Sequence, residues 1–542
     1  MRGGWLGGVA AGLMMVALAG TAQGAIVVNG RPVSTQPAAR VEGDLVLVPV
    51  IAFAPFLGVE ASEHDGRIVL RWSGGSEELA SAELREESGT AFTSLEGLVR
   101  RVGGTERRSG DDTIVDTPIA TLVEVVRSGE ELAMRFDRFA PTSVGEEDGE
   151  TVIRFANCLT VSEGAAAAFG PSDVGRATLT TIGDGSCEVR IEFLEEAALS
   201  VRRVEANEAY TVFLTASEQA SSTSSVRIAD NLLFLEGEIG TGEESVQVAY
   251  IWAGEWRGRL DVRPLLPQTG VGTQASINAA MSAAGAAIAL SSRSGTDVGL
   301  VVIDGVPYSL GDGASEALGI DILGSFLALV PDVAAFAVSP TARIPLDGVD
   351  RPVGADELIG YPPGYTGNIA KGFPEGFRIV RIRDSVVVSI LDAPFVVADP
   401  SAALLVASGA ARSRLAALTL GDRVTFESVA SASESFLTEA ASIEGWFAWD
   451  GQSTLREWDS ASTWSTVGTD WQGGLFFLRL SSDGEISPSL VLAALNLLPV
   501  PARDVAILEA GGAAELALDS GNYHMRWGRR VAVSVSLGAV LK

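Results

Sequence analysis

Residues 504–513 read DVAILEAGGA. An apolar, strand-like run delivers Glu509 to a small-residue loop that holds Gly511 and Gly512. A carboxylate fixed at a strand end can assist an attacking water, and glycine lets backbone N–H groups come close to an anion. The same ten residues also read as a surface carboxylate beside a hairpin turn. Asn278, in SINAAMS, has two readings as well: a ligand for a sugar hydroxyl or phosphate, or a local cap. Asp304-Gly305 and Asp450-Gly451 are candidate substrate-binding carboxylates, although Asp-Gly is more often a simple tight turn. Arg343 and Arg351 are either phosphate-binding cations or salt-bridged arginines. Trp446, Trp449, Trp458, Trp464 and Trp471 crowd one segment, offering flat apolar faces to a pyranose or packing against a sheet.

Other chemistry is short of material. His64 and His524 are the only histidines and lie far apart, so a His/Cys zinc site is not expected, nor is any other metal or cofactor. Cys158 and Cys187 share one segment and, in an oxidising compartment, form either one disulfide or two separate buried thiols.

The formal charge of -30 repels phosphate backbones and anionic lipid, which excludes nucleic acid as a partner. The 542 residues, 47% of them hydrophobic, suffice for several packed cores. Residues 1–24, MRGGWLGGVAAGLMMVALAGTAQG, combine Arg2, an apolar core and small residues at Ala22-Gln23-Gly24. They read as a secretory signal, with a retained anchor as the alternative, and no other segment reads as a membrane span. Export to the periplasm, the envelope or the medium is expected.

Short alternating strands and many glycines predict a multidomain, β-rich chain. Residues 25–117 hold an imperfect repeat: each copy has a short strand, an amphipathic helix ending at Leu57-Gly58 or Val102-Gly103, and a returning strand. With Val28-Asn29-Gly30-Arg31, Val48-Pro49-Val50 and Phe56-Leu57-Gly58, this small α+β module resembles the copper amine oxidase N-terminal-like (stalk) domain. The resemblance implies a spacer or envelope-attachment unit and no copper. Residues 118–224 read as strands of an antiparallel sandwich, weakly similar to the glycan-binding AMIN modules, with TASEQASSTSS at 215–225 as a linker. Residues 225–542 read as one larger mixed α/β domain, with a helix over 488–498 opened by Pro488.

In that last region SINAAMS, VGLVVIDG, ALGIDILG, ALLVASGAARSRLAALTLGDRVTF, FAWDG and STVGTDWQGGLFFLRL follow in order. Together with LEAGGA they resemble the phosphodiester glycosidase family, the group that includes the enzyme uncovering mannose 6-phosphate. The resemblance implies hydrolysis of sugar-1-phosphodiesters, with Glu509 on the family's catalytic aspartate and Asn278, Asp304, Asp450, Gly511 and Gly512 placing the substrate. The departures are specific. Glu509 is one methylene longer than aspartate, a shift of about 1 Å that can cost about a hundredfold in rate. Ala510 and Ala513 replace a glycine and a serine, Trp464-Ser465 replaces Arg-Thr, and Met281-Ser282 replaces an aromatic pair. Two functions follow as expectations: an exported hydrolase of sugar-phosphodiester linkages in envelope or cell-wall glycans, or a catalytically degenerate module that binds glycan or protein. Convergence of Asn278, Asp304, Asp450 and Glu509 on one pocket would favour the first.

Overall fold

The computed structural model describes residues 25–541 apart from 65–66, 148–149, 161–165, 171–173, 183–184, 194–197, 207–208, 218–220, 230–231, 242–243, 258–259, 267–285, 295–298, 311–315, 322–324, 330–332, 364–375, 397–398, 400, 431–434, 455–460, 511–514, 521 and 528–532. The chain is β-rich and divides into two compact units, residues 1–250 with 519–527 and residues 251–518 with 528–542. No described helix is long and apolar enough to cross a membrane.

The first unit opens with the sequence repeat. Strand Leu45–Pro49 leads into helix Val50–Phe53 and the 3-10 turn Ala54–Leu57; strand Thr90–Ser94 leads into helix Leu95–Arg101. The two strands pair antiparallel, Leu47 opposite Ser94 and Pro49 opposite Phe92. Phe53, Leu57, Leu95 and Leu98 then share one core. Gly58 ends the first helical segment in the left-handed region at φ 80°, and Ser94 caps the second by accepting from the Gly97 amide.

Residues 120–217 form a sandwich. Strands Ala120–Ser128, Glu131–Phe136, Ala209–Ser217 and Ala198–Ala206 make one layer. Thr142–Glu147, Glu150–Phe155, Ser186–Phe193, Gly175–Ile182 and Ala166–Phe169 make the other, and Phe136, Phe155, Leu179 and Tyr210 fill the shared core. Cys158 and Cys187 sit fully buried in this core as free thiols, with sulfurs 2.8 Å apart. Their mutual hydrogen bond, with burial, drives the Cys158 thiol far above its ordinary range.

The linker expected at 215–225 is not one. Ser221–Ala229 is a strand, parallel to Ala198–Ala206 and antiparallel to Leu232–Thr241, with Thr223, Ser224 and Ser225 buried. Serine and threonine read as solvent-loving by composition, yet threonine favours extended backbone and both hydroxyls bond locally within a ladder.

The second unit is built on strands whose both faces are covered. Leu475–Ile486, Ala461–Asp470, Ala502–Ala510 and Gly445–Trp449 lie side by side in that order and pair antiparallel. Their apolar runs are continuous, as expected of strands buried on both faces. Gly468 is a close-approach glycine: a Cβ there would lie 2.1 Å from the Asp504 carbonyl oxygen and 2.4 Å from the Phe476 ring. Helix Pro488–Leu495, with proline in its first turn, joins strand Leu475–Ile486 to Ala502–Ala510. Strands Leu260–Leu265, Val533–Leu541, Ala286–Ser294 and Leu516–Ser520 form a second layer. A further lobe holds the fully buried strand Ala403–Ser408 between Leu358–Tyr361 and Phe377–Arg383. Helix is sparse among the described residues of this unit: Pro488–Leu495 and the 3-10 segment Gly409–Ala417.

Candidate functional site

Glu509 is the penultimate residue of strand Ala502–Ala510 and is only 6% exposed, so it is not a surface carboxylate beside a turn. Register decides what it faces. Ser465 lies directly opposite Glu509 on one side, and directly opposite Arg479 on the other. Residues opposed in an antiparallel pair project to the same face of the sheet. Glu509, Ser465 and Arg479 therefore form a three-strand polar row, with Thr463 and Ser481 paired one step along on the same face. A bulge marks the spot: Ser465 pairs with Glu509 but Thr466 pairs with Ile507, leaving Leu508 unpaired and re-aiming the acid.

The row is dry. Ser465 is fully buried, and Arg479 and Thr463 are nearly so. Arg479 Nη1 donates to Ser481 Oγ at 3.0 Å, while the hydroxyls of Ser465 and Thr463 have no hydrogen-bond partner among the described residues. Trp446, whose indole N–H has no partner among the described residues, pairs with Ala506 on this same face.

The remaining sequence candidates are spread out. Asp450 and Gly451 form a two-residue hairpin turn, with φ 50° and 74°, between the paired Trp449 and Gln452. The Asp450 amide donates to Asp504 Oδ1 at 2.9 Å and its carboxylate accepts from Arg503, 3.0 Å away. Asp504 and Glu509 are five residues apart on one strand, about 17 Å at the usual rise. Asp450 and Glu509 thus occupy opposite ends of the strand and do not share a site. Asp304 and Gly305 make the same turn, φ 50° and 76°, in the hairpin closed by Ile303 and Val306, within a different sheet. Asn278, Gly511 and Gly512 lie outside the described residues. Arg351 is clamped bidentately by Glu357, at 2.8 and 3.0 Å, and Arg343 lies 3.6 Å from Glu427; both are salt-bridged arginines. The tryptophans disperse too. Trp464 is wholly buried on the opposite face, Trp449 packs edge-on against Trp446, and Trp471 is 56% exposed beside Arg503 at the far end; Trp458 lies outside the described residues.

A second acidic centre was not anticipated. Glu439, on strand Ser435–Ser442, is 4% exposed beneath the Asp304 hairpin. Its Oε1 accepts from the Asp304 amide at 3.0 Å, and its Oε2 has no partner among the described residues. Burial foremost, with repulsion from Asp304 and Asp261, pushes its carboxyl up to about 8 against the pull of the Asp304 amide and Arg263. Arg263 lies 3.7 Å from Asp304 and 3.9 Å from Asp261. Tyr308 nearby is also raised, by burial and by the same Asp304 and Glu439. No grouping of His, Cys, Asp and Glu among the described residues can hold a metal ion. The sequence signal for both Arg479 and Glu439 was a single charge inside a strand-like run, in LFFLRLSS and SFLTEAAS. A lone charge where both faces are buried must find a partner or neutralise.

Neither known protein-family models nor curated proteins match the chain. Among solved structures, a hypothetical protein from Synechocystis aligns over 96% of this chain and 99% of its own, with a TM-score of 0.45 and 14% identity. The zebrafish N-acetylglucosamine-1-phosphodiester alpha-N-acetylglucosaminidase catalytic domain aligns over 59% of this chain and 88% of its own, with a TM-score of 0.31 and 10% identity. TM-scores below 0.5 leave the activity to be decided by the residues themselves.

Proposed function

We propose that this chain is an exported envelope protein whose 251–518 unit hydrolyses sugar-phosphodiester linkages of extracellular or cell-wall glycans, with Glu509 in the carboxylate role. The observation that carries this reading is the burial of Glu509 at a strand end, directly opposite Ser465 in a sheet interior. A carboxylate held at a strand end can take the proton of a positioned water while that water's oxygen bonds to the sugar carbon and the carbon–oxygen bond to phosphate breaks. Residues 1–24 support export, and the repeat and sandwich of the first unit support attachment to the cell wall.

Glu509→Gln keeps the size and removes the base. The expected result is a loss of about 10²–10⁴-fold in turnover of a sugar phosphodiester by the purified chain. Equal rates in the two proteins would dismiss Glu509. The second reading, a binding module without turnover, is favoured by the distance between Asp450 and Glu509. It predicts that the wild type turns over no member of a substrate panel yet still binds one.

Export also sets an expectation for the sulfur pair. In an oxidising compartment Cys158 and Cys187 close a disulfide across 29 residues. Chain-entropy arguments give it about 3–4 kcal/mol. Protein from such a compartment, denatured without reductant, should show no titratable thiol, and reductant should lower its stability by that amount. Two free thiols under those conditions would exclude the bridge.

A further inference from the structure

We infer that the first unit carries a binding pocket for a small monocarboxylate with an apolar body, headed by Arg31 and set between the repeat module and the sandwich. Strands Ile26–Val28 and Arg31–Val33 form a hairpin whose turn, Asn29-Gly30, sits at φ 50° and 79°. Val28 lies opposite Arg31 and Ile26 opposite Val33, so these side chains project to one face. Val28, Arg31 and Val33 line a cavity of about 160 Å³ together with Phe56, Ile119 and Leu159. Leu159 comes from the sandwich, on strand Cys158–Thr160 beside Ala120–Ser128. Val28 is buried and forms the floor, while Leu159, 41% exposed, stands at the rim. The residues of the hydrolase reading belong to the other unit, so the two ideas stand or fall separately.

The polar walls of this cavity are already bonded, apart from one group. Asn29 Nδ2 donates to Asn157 Oδ1 at 2.9 Å, and Asn29 Oδ1 accepts from the Thr117 amide at 2.8 Å. Asn157 Nδ2 donates in turn to the Pro118 carbonyl at 2.8 Å. These bonds tie the hairpin turn to the sandwich and hold the cavity open. The half-buried Arg31 guanidinium, by contrast, has no hydrogen-bond or ion-pair partner among the described residues. It lies against Gly185, where φ is 88° and an added Cβ would overlap it. A guanidinium held beside apolar walls without a counter-charge is costly, and a carboxylate relieves that cost through two parallel N–H···O bonds. One cation matches one negative charge, whereas a phosphate dianion would remain half-compensated. The volume is close to that of an apolar cavity that takes benzene, which sets the ligand at about six to eight non-hydrogen atoms. A branched aliphatic acid meets both conditions. Arg31 belongs to Val28-Asn29-Gly30-Arg31, a stretch for which the hydrolase reading has no use.

The test is titration calorimetry on the full chain with isovalerate, isoamyl alcohol, acetate and N-acetylvaline. Wild type is expected to bind isovalerate about tenfold more tightly than isoamyl alcohol, which lacks the charge, and than acetate, which lacks the body. Arg31→Gln leaves the bonded walls in place, so its thermal midpoint should match wild type while its affinity for isovalerate falls to the level of the alcohol. Val33→Phe narrows the cavity and should weaken isovalerate and the alcohol alike. N-acetylvaline presents the same head group on a peptide-like arm, and weaker binding than isovalerate is expected because the arm exceeds the cavity. The pocket is overturned if wild type binds isovalerate no better than the alcohol or acetate, or if Arg31→Gln binds it as tightly as wild type does. Tighter binding of N-acetylvaline than of isovalerate would overturn the free acid in favour of the end of a peptide.

Discussion

Glu439→Gln is expected to stabilise the 251–518 unit at alkaline pH and to leave it nearly unchanged at pH 5. Glutamine has the shape of a protonated glutamic acid, and that is the form the fold prefers. The carboxyl is 4% exposed, has one oxygen without a partner among the described residues, and faces Asp304 and Asp261. Burial above all lifts it from the ordinary 4.5 to about 8. The sign follows from linkage: between these values the unfolded chain has lost the proton and the folded chain keeps it. Stability is therefore fully present below about pH 4.5 and declines as pH rises toward 8. Each pH unit in that window costs about 1.4 kcal/mol, so the whole interval amounts to a few kcal/mol. Denaturant melts of wild type and variant from pH 5 to 8.5 would read the difference directly. The gap between the two curves should open with pH. Parallel curves would mean that Glu439 is ionised in the fold at neutral pH.

The second large effect lies in the other unit. Arg71→Ala should cost about 3–5 kcal/mol, the usual result of removing one member of a buried ionic cluster. Arg71 is 4% exposed, lies 3.6 Å from Glu205 and 3.7 Å from Glu236, bonds the Ser224 hydroxyl and stacks 5.1 Å from the Phe139 ring centroid. Burial works against its charge, but Glu205 and Glu236 outweigh that and hold it above its ordinary value. Alanine removes the cation and leaves Glu205, 5% exposed, without its counter-charge. Adding Glu205→Gln to Arg71→Ala should recover a large part of the loss, since the cost is mainly the stranded carboxylate. Chemical unfolding of the single and double variants measures this. A double variant as unstable as the single one would place the cost in the lost packing of the Arg71 side chain over Phe139 instead.

Both predictions concern residues that the sequence did not single out, while much of the local structure was legible. Leu45–Pro49 and Thr90–Ser94, each followed by a helix ending at glycine, could be read from apolar spacing and from Gly58 and Gly103. Pro488 opens its helix as proline does in a first turn. Asp304-Gly305 and Asp450-Gly451 adopt the left-handed pair that such dipeptides favour. The place of Glu509 at the end of an apolar strand was legible for the same reason. Composition misled where polar residues built a ladder, at Ser221–Ala229.

The division has one physical cause. Helix ends, turns and strand runs depend on residues within a few positions of one another, so periodicity and turn chemistry along the chain suffice to find them. Contact across a sheet depends on register, and a slip of one residue would exchange every face. Glu509 and Ser465 are 44 positions apart, and Glu439 and Asp304 are 135. No local pattern joins them. Only the folded sheet, with its bulge beside Ser465 and its hairpin over the buried Glu439, decided which acid shared a face with Arg479 and which was left to hold its proton.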